Sequence, residues 1–160
     1  MIEYFDLRER SHHVDGMAER IWAAFWRHKG APLTAIRAGL EDFLRPDSRI
    51  PFAIVAECEG RLCGNALVID NDEPARPDLT PWLAALWVDE PFRGRGIAAG
   101  LLGQGLRRCA ALGVGRLHLV SRPALRDFYV KLGWQVLEDA VGAHRLTLYG
   151  REPGAVLSRP

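Results

Sequence analysis

The segment Trp82-Leu83-Ala84-Ala85-Leu86-Trp87-Val88 constrains this chain more than any other. It runs into a turn rich in glycine and arginine and then into a long amphipathic stretch. A nearly continuous apolar run of this length fits a strand covered on both faces, since neither face carries the polar half of an alternating pattern. Beyond the turn, Ile97, Leu101, Leu106 and Cys109 recur at helical spacing, which predicts a helix from about Ile97 to Leu112 with Gly113 as its stop. Arg93-Gly94-Arg95-Gly96-Ile97-Ala98 therefore sits between a buried strand and a helix start. There, several backbone N–H groups lack intrahelical partners and the helix dipole adds partial positive charge. Both effects favour an anion such as a phosphate or pyrophosphate. The glycines let the backbone approach it closely, and Arg93 and Arg95 add charge-assisted donors.

Taken alone, the turn also fits the dinucleotide fingerprint G-x-G-x-x-A, but its surroundings do not. Asp89 to Arg93 separate the strand from the first glycine, and the next strand region, His118 to Arg122, carries no acid for a ribose. Fewer than 50 residues follow Ala111, too few for a second mononucleotide half.

Charge narrows the choice further. The 160 residues sum to +1, but Met1–Thr80 carries −4 and Pro81–Pro160 carries +5. Seven arginines (93, 95, 107, 108, 116, 122 and 126) and no acid lie between Pro91 and Arg126. Such a block suggests an anionic partner or a solvated helix face. With the whole chain near neutral and no aromatic residues interleaving the arginines, nucleic acid is disfavoured. No apolar run reaches 18 residues, so no membrane span is expected. The N-terminus is charged where a signal peptide needs an apolar stretch, and the three cysteines are odd in number and sit in apolar surroundings. Both point to a reduced, cytoplasmic protein. His12-His13 is the one close histidine pair, and neighbours on regular structure point apart, so no metal is expected.

The remaining elements follow from periodicity and turn residues. A first strand spans Ile2 to Arg8. Asp15 then caps a helix with Met17, Ile21, Trp22, Phe25 and Trp26 on one side, and a second helix runs from about Pro32 to Leu44. Phe52–Glu57 and Leu62–Ile69 form a hairpin through Glu59-Gly60-Arg61, and an acidic loop (Asp70, Asp72, Glu73, Asp78) leads to the central strand. After the long helix come a short strand (Arg116–Val120), a helix opened by Pro123, and two strands, Trp134–Glu138 and His144–Tyr149. The helix glycines Gly100, Gly103 and Gly105 each cost about 1 kcal/mol relative to alanine and have no firm account from the sequence; close approach of the helix to the sheet is one reading. The whole is a mixed α/β domain over residues 1–150 with a tail at 151–160, large enough to bury about two-thirds of its unfolded surface.

Two motifs carry a specific resemblance. Arg93, Gly96 and Ala98 fit Q/R-x-x-G-x-G/A, and Phe128-Tyr129-Val130-Lys131-Leu132-Gly133-Trp134 fits F/Y-Y-x-K/R-x-G-F/Y/W. With the element order, they make the chain resemble the GNAT superfamily of acyl-CoA-dependent N-acyltransferases over nearly its whole length. The resemblance implies a mixed, mostly antiparallel sheet of six or seven strands, splayed at the acyl-CoA site and flanked by about four helices. It implies acetyl-CoA as co-substrate, with the backbone of Gly94, Arg95, Gly96, Ile97 and Ala98 on its pyrophosphate. The pantetheine arm would pair with the backbone of Leu86, Trp87 and Val88. Tyr129 matches the tyrosine that protonates the departing thiolate. Ser121 is placed beside pantetheine or acceptor, and Arg126 beside the phosphates. A homodimer fits the family's habit.

One departure stands out. Relatives often carry a glutamate on the central strand to deprotonate the incoming ammonium, and Trp82–Val88 holds no carboxylate. The amine must lose its proton before its lone pair can attack. Glu57, one hairpin earlier, and a water chain to bulk with no dedicated base both remain open. The acceptor, a small-molecule amine or a peptide amine, is not specified. A catalytically silent acyl-CoA-binding module is the rival reading.

Overall fold

The computed structural model describes residues 1–46 and 49–154. Seven strands form one sheet: β1 (Ile2–Asp6), β2 (Phe52–Cys58), β3 (Arg61–Ile69), β4 (Trp82–Val88), β5 (Leu117–Ser121), β6 (Gln135–Val141) and β7 (Leu146–Arg151). Their spatial order is β1-β2-β3-β4-β5-β7-β6, and every neighbouring pair is antiparallel except β4–β5. Four α-helices flank the sheet: α1 (Val14–Ile21), α2 (Leu33–Gly39), α3 (Ile97–Ala111) and α4 (Arg126–Lys131). This is the predicted order and the predicted mixed α/β class.

Strand alternation divides the core between the two faces. Phe52, Ile54 and Ala56 of β2 pack with Ile97, Leu101, Leu106 and Cys109 of α3. Ala53 and Val55 of the same strand pack with Met17 and Ile21 of α1 and with Leu40 and Phe43. The hairpin β2–β3 turns through Glu59 (φ 52°) and Gly60 (φ 76°), two consecutive left-handed residues of the kind a two-residue hairpin needs. Two of the helix glycines are explained by packing. A Cβ at Gly100 would collide with the Tyr4 hydroxyl, and one at Gly105 would stand 3.0 Å from Leu83 Cδ1. These gaps let α3 lie close on β1 and β4. Gly103 has no such neighbour.

Several expectations are corrected at the N-terminal end. β1 stops at Asp6 because a capping box starts there: the Asp6 carboxylate accepts from Arg8 N–H at 2.8 Å, and Glu9 accepts from Asp6 N–H at 3.0 Å. That box opens a 3₁₀ segment over Leu7–His13, kinked at Arg10. Asp15 does not cap α1; it sits in the first turn and accepts from Arg37 Nε at 2.6 Å. After Ile21 the helix widens into a π-turn over Trp22–Trp26. The extra residue per turn slips the apolar stripe, so Met17 and Ile21 are buried while Trp22 is half-buried and Trp26 is exposed. The second helix tightens to 3₁₀ geometry at Leu40–Leu44, just after Gly39.

Elsewhere, β7 extends through Arg151, and 155–160 of the expected tail lie outside the described residues. Cys63 and Cys109 are fully buried free thiols, pushed up to about 11 by burial. Among the described residues no helix is long and apolar enough to cross a membrane.

Candidate active site

The strand expected to be buried on both faces is so only in its first half. Trp82, Leu83 and Ala84 are buried, whereas Ala85, Leu86 and Trp87 are half-exposed and Val88 is buried again. Two features of pairing account for the opening. Among the described residues, β4 pairs with β5 only at Trp82↔His118, so the parallel strands part beyond that point. On its other side, β4 pairs Ala84 with Leu67 and Trp87 with Asn65, which leaves Ala85 and Leu86 opposite Ala66 alone. This is a bulge, and Ala85 occupies its left-handed position at φ 50°. A bulge bends its strand and increases twist. The C-terminal half of β4 thus turns away from β5 with the backbone of Leu86–Val88 along a free edge.

The chain then runs through a 3₁₀ turn at Glu90–Phe92 into Gly94 (φ 78°) and Gly96 (φ 77°), the latter capping α3. Among the described residues, a Cβ at either glycine would meet nothing within 4 Å, so the glycines answer a conformational need. The first N–H groups of this 15-residue helix, beginning at Ile97 and Ala98, have no intrahelical partners, and no side chain caps them among the described residues. The two arginines are only partly available to a ligand there. Arg93 donates from Nε to the Val88 carbonyl at 2.9 Å and lies over the Trp87 ring at 4.6 Å. Arg95 rests 5.4 Å over the Phe92 ring. Arg93 therefore braces the end of β4 as much as it offers charge.

Tyr129 is buried on α4, with its ring 5.0 Å from those of both Phe128 and Tyr149. Burial, reinforced by Tyr149, pushes its phenol up to about 12, so it stays protonated at physiological pH. Ser121 is also brought here, through Tyr149, a residue the sequence reading did not single out. The two hydroxyl oxygens are 3.0 Å apart, and Ser121 Oγ also donates to the Arg122 carbonyl. Arg126 sits three residues before Tyr129 on the same helix, but its guanidinium is committed to Asp139 at 3.0 Å.

On the opposite face, β4 ends in a network. Arg20 of α1 holds the Asp89 carboxylate through Nε at 2.9 Å and Nη2 at 2.7 Å, and Trp87 Nε1 donates to the same group at 3.1 Å. Phe25 of the π-turn meets the Trp87 ring edge-on at 6.5 Å. The acidic loop is mostly self-occupied: Asp78 pairs with Arg76, which also reaches Glu138, and Glu73 accepts from Ala75 N–H while packed against Gly142. Among the described residues, Asp70 and Asp72 carry no ion pair. Asp72 reaches solvent, yet crowding by the surrounding loop, then Glu73, pushes its acid up to about 6, with Lys29 opposing.

Glu57 does not face solvent. Its side chain is buried, and Oε1 is held by His13 Nε2 at 2.7 Å and Arg10 Nε at 3.1 Å. The expectation that His12 and His13 point apart is corrected here. The kink at Arg10 lets both converge on Glu57, their rings 4.1 Å apart. A guanidinium already neutralises the carboxylate, so the group closes as an ion-pair cluster holding the 3₁₀ segment to β2. The late basic block also has structural duties, since Arg108 pairs with Asp6 and lies over the Phe52 ring at 4.7 Å.

The sequence profile of the acetyltransferase (GNAT) family matches residues 9–134, both motifs included. This chain belongs to the GNAT family. Solved GNAT-type folds superpose over almost all of it. An N-acetyltransferase from Staphylococcus aureus Mu50 aligns with a TM-score of 0.70 at 18% identity, covering 96% of this chain and 99% of that one. ElaA from Escherichia coli aligns at 0.66 and 21%, covering 95% and 100%. An acyl-CoA N-acyltransferase from Pseudomonas aeruginosa aligns at 0.66 and 16%, covering 94% and 99%. At these identities the likeness establishes the fold. None of the curated proteins matches the chain.

Proposed function

We propose that this GNAT protein transfers an acetyl group from acetyl-CoA to the primary amine of a small molecule, by direct attack within a ternary complex, and that residues 1–150 are one catalytic domain. The observation that carries the reading is the free edge of β4 lying next to the glycine-capped start of α3. An extended, amide-bearing arm adds to a free strand edge as another strand would, and a pyrophosphate suits the N–H groups of Gly94–Ala98. Coenzyme A carries both groups in one molecule.

In this reading the neutral amine attacks the thioester carbon. A C–N bond forms, and the oxyanion is stabilised by backbone N–H along Leu86–Val88. Collapse breaks the C–S bond and releases the thiolate, to which the Tyr129 phenol donates, while the nitrogen loses its second proton to water as it becomes an amide. A free thiol titrates near 8.5. Tyr129, held near 12, therefore gives up its proton only as negative charge builds on the sulfur, and it regains one from solvent. The proton lost by the ammonium leaves through water, since the one nearby carboxylate proposed for it, Glu57, is bound by Arg10 and His13. Asp70 and Asp72 favour a cationic acceptor.

A screen of small amines and short peptides, following thiol release from acetyl-CoA, tests the reading. Turnover with small amines supports it, and turnover with peptides alone moves the acceptor class. Tight acetyl-CoA binding without acetylation of any amine supports instead a silent acyl-CoA-binding module, a reading favoured by the lack of a free carboxylate on β4.

A further inference from the structure

Asn65 sits on β3 directly opposite Trp87, in the stretch where β4 bulges. Its side chain is wholly buried, and Nδ2 donates to the Ala85 carbonyl at 2.9 Å. Ala85 is the left-handed residue of the bulge, a place where glycine is favoured and alanine is strained. The other end of the amide, Oδ1, is buried and has no hydrogen-bond partner among the described residues. A buried amide with one end unpaired is unfavourable for stability. Leucine, nearly isosteric and already present two residues on as Leu67 on the same face, would remove the unpaired Oδ1 together with the bond to the Ala85 carbonyl. Packing does not account for an amide at this position, whereas its one hydrogen bond falls on the residue that sets the direction of the strand edge.

We propose that Asn65 is a positioning residue for the donor substrate: by holding the Ala85 carbonyl it fixes the bulge and so aims the edge of Leu86–Val88 that β5 leaves unpaired at the pantetheine arm. This rests on the acyl-CoA reading given above. Asn65 touches neither the thioester nor the amine; it acts through β4. It does so in place of a glycine, which would accept the left-handed angle freely but leave the edge less rigid.

The test compares wild type with Asn65→Leu by acetyl-CoA titration calorimetry and by steady-state kinetics, with thermal midpoints measured on the same samples. The variant is expected to melt close to wild type, because the unpaired Oδ1 and the bond to the Ala85 carbonyl are lost together. Its acetyl-CoA dissociation constant and KM should rise about tenfold, the loss of one net hydrogen bond's worth of fixation, while KM for the amine stays within twofold. Equal acetyl-CoA affinity in the two proteins overturns the proposal, as does a fall in melting temperature with unchanged kinetics, because Asn65 would then only fill space. If wild type itself does not bind acetyl-CoA, the functional reading fails first and this inference with it. Should the variant not fold, the wild-type protein still decides. The Asn65 side-chain amide resonances should shift on titration with acetyl-CoA and saturate with the protein's own affinity, and resonances that stay fixed overturn the assignment.

Discussion

At the start of α3 the groups that matter are glycines and backbone N–H, contributed by six consecutive residues. Across the sheet, under α1 and the π-turn, they are side chains brought together from distant segments: Arg20, Phe25, Trp87 and Asp89. The first region is fixed by local conformation and should treat any ligand with the same anionic handle alike. The second is fixed by tertiary contact, so its shape and charge vary with whichever side chains the fold delivers. This contrast suits an enzyme whose donor is constant and whose acceptor is particular to it. The contrast makes separate predictions for the two sides.

The largest effect is expected at the glycine turn. Gly96→Asp puts a Cβ on a left-handed residue, worth about 1–2 kcal/mol, and a negative charge at the proposed pyrophosphate site. Together these should raise KM for acetyl-CoA by about 100- to 1,000-fold while the amine KM stays near wild type. Donor titrations read the outcome, and unchanged donor affinity would remove the turn from the site.

Tyr129→Phe comes next. Deleting the phenol leaves the ring packing against Phe128 and Tyr149 intact, so donor affinity should hold while kcat falls by about 100-fold, the usual worth of a positioned proton donor. Because the phenol is held near 12, wild-type kcat should show no alkaline loss from this group below about pH 11. A variant with full kcat would leave Tyr129 a packing residue.

The two regions also differ in how far the sequence discloses them. The β4–α3 turn was legible because its signals are adjacent: an apolar run, two glycines that need positive φ, and a helix stripe. The order of elements was legible for the same reason. The Asp6–Glu9 box was there to be read as an acid three residues ahead of another, but the apolar start of the chain argued for a longer strand. The π-turn was not legible, since the spacing of Trp22, Phe25 and Trp26 fits an ordinary helix equally well. Nor was the bulge, because it arises from a register slip between β3 and β4, and no local signal marks Ala85 as left-handed. Tyr149 and Ser121 meet only because β5 and β7 pair.

The helix behind the donor turn offers a matched pair. Gly100→Ala must displace the Tyr4 ring, and a stability loss of about 1–3 kcal/mol is expected, typical of overpacking a core. Gly103→Ala meets only Arg107 at 3.8 Å and should gain up to about 1 kcal/mol from helix propensity. Chemical denaturation distinguishes the two, and effects of one sign at both positions would contradict the close seating of α3 on β1.

The smallest effect belongs to the acidic loop proposed to favour a cationic acceptor, at Asp72. Its side chain reaches solvent, so the charge is screened, and Asp72→Asn should raise KM for a cationic amine by only about two- to fivefold at neutral pH. The pH dependence is more telling than the size. As pH falls through about 6, the wild-type carboxyl takes up a proton and its attraction for the amine disappears, so wild type should converge on the variant on the acid side. Stability should move the other way. With the folded-state value above the ordinary 3.8, the folded protein binds this proton more tightly than the unfolded chain does. The associated stability is full below about pH 4 and is lost as pH rises through 6. Asparagine keeps the neutral form, so Asp72→Asn should melt higher than wild type at pH 7 to 8 and equally at pH 4. Acetyl-CoA affinity should not change at any pH, because the donor turn lies on backbone that Asp72 does not touch. A shift in donor affinity alongside acceptor KM would show the two regions to be coupled through β4, and their division of labour would have to be redrawn around that strand.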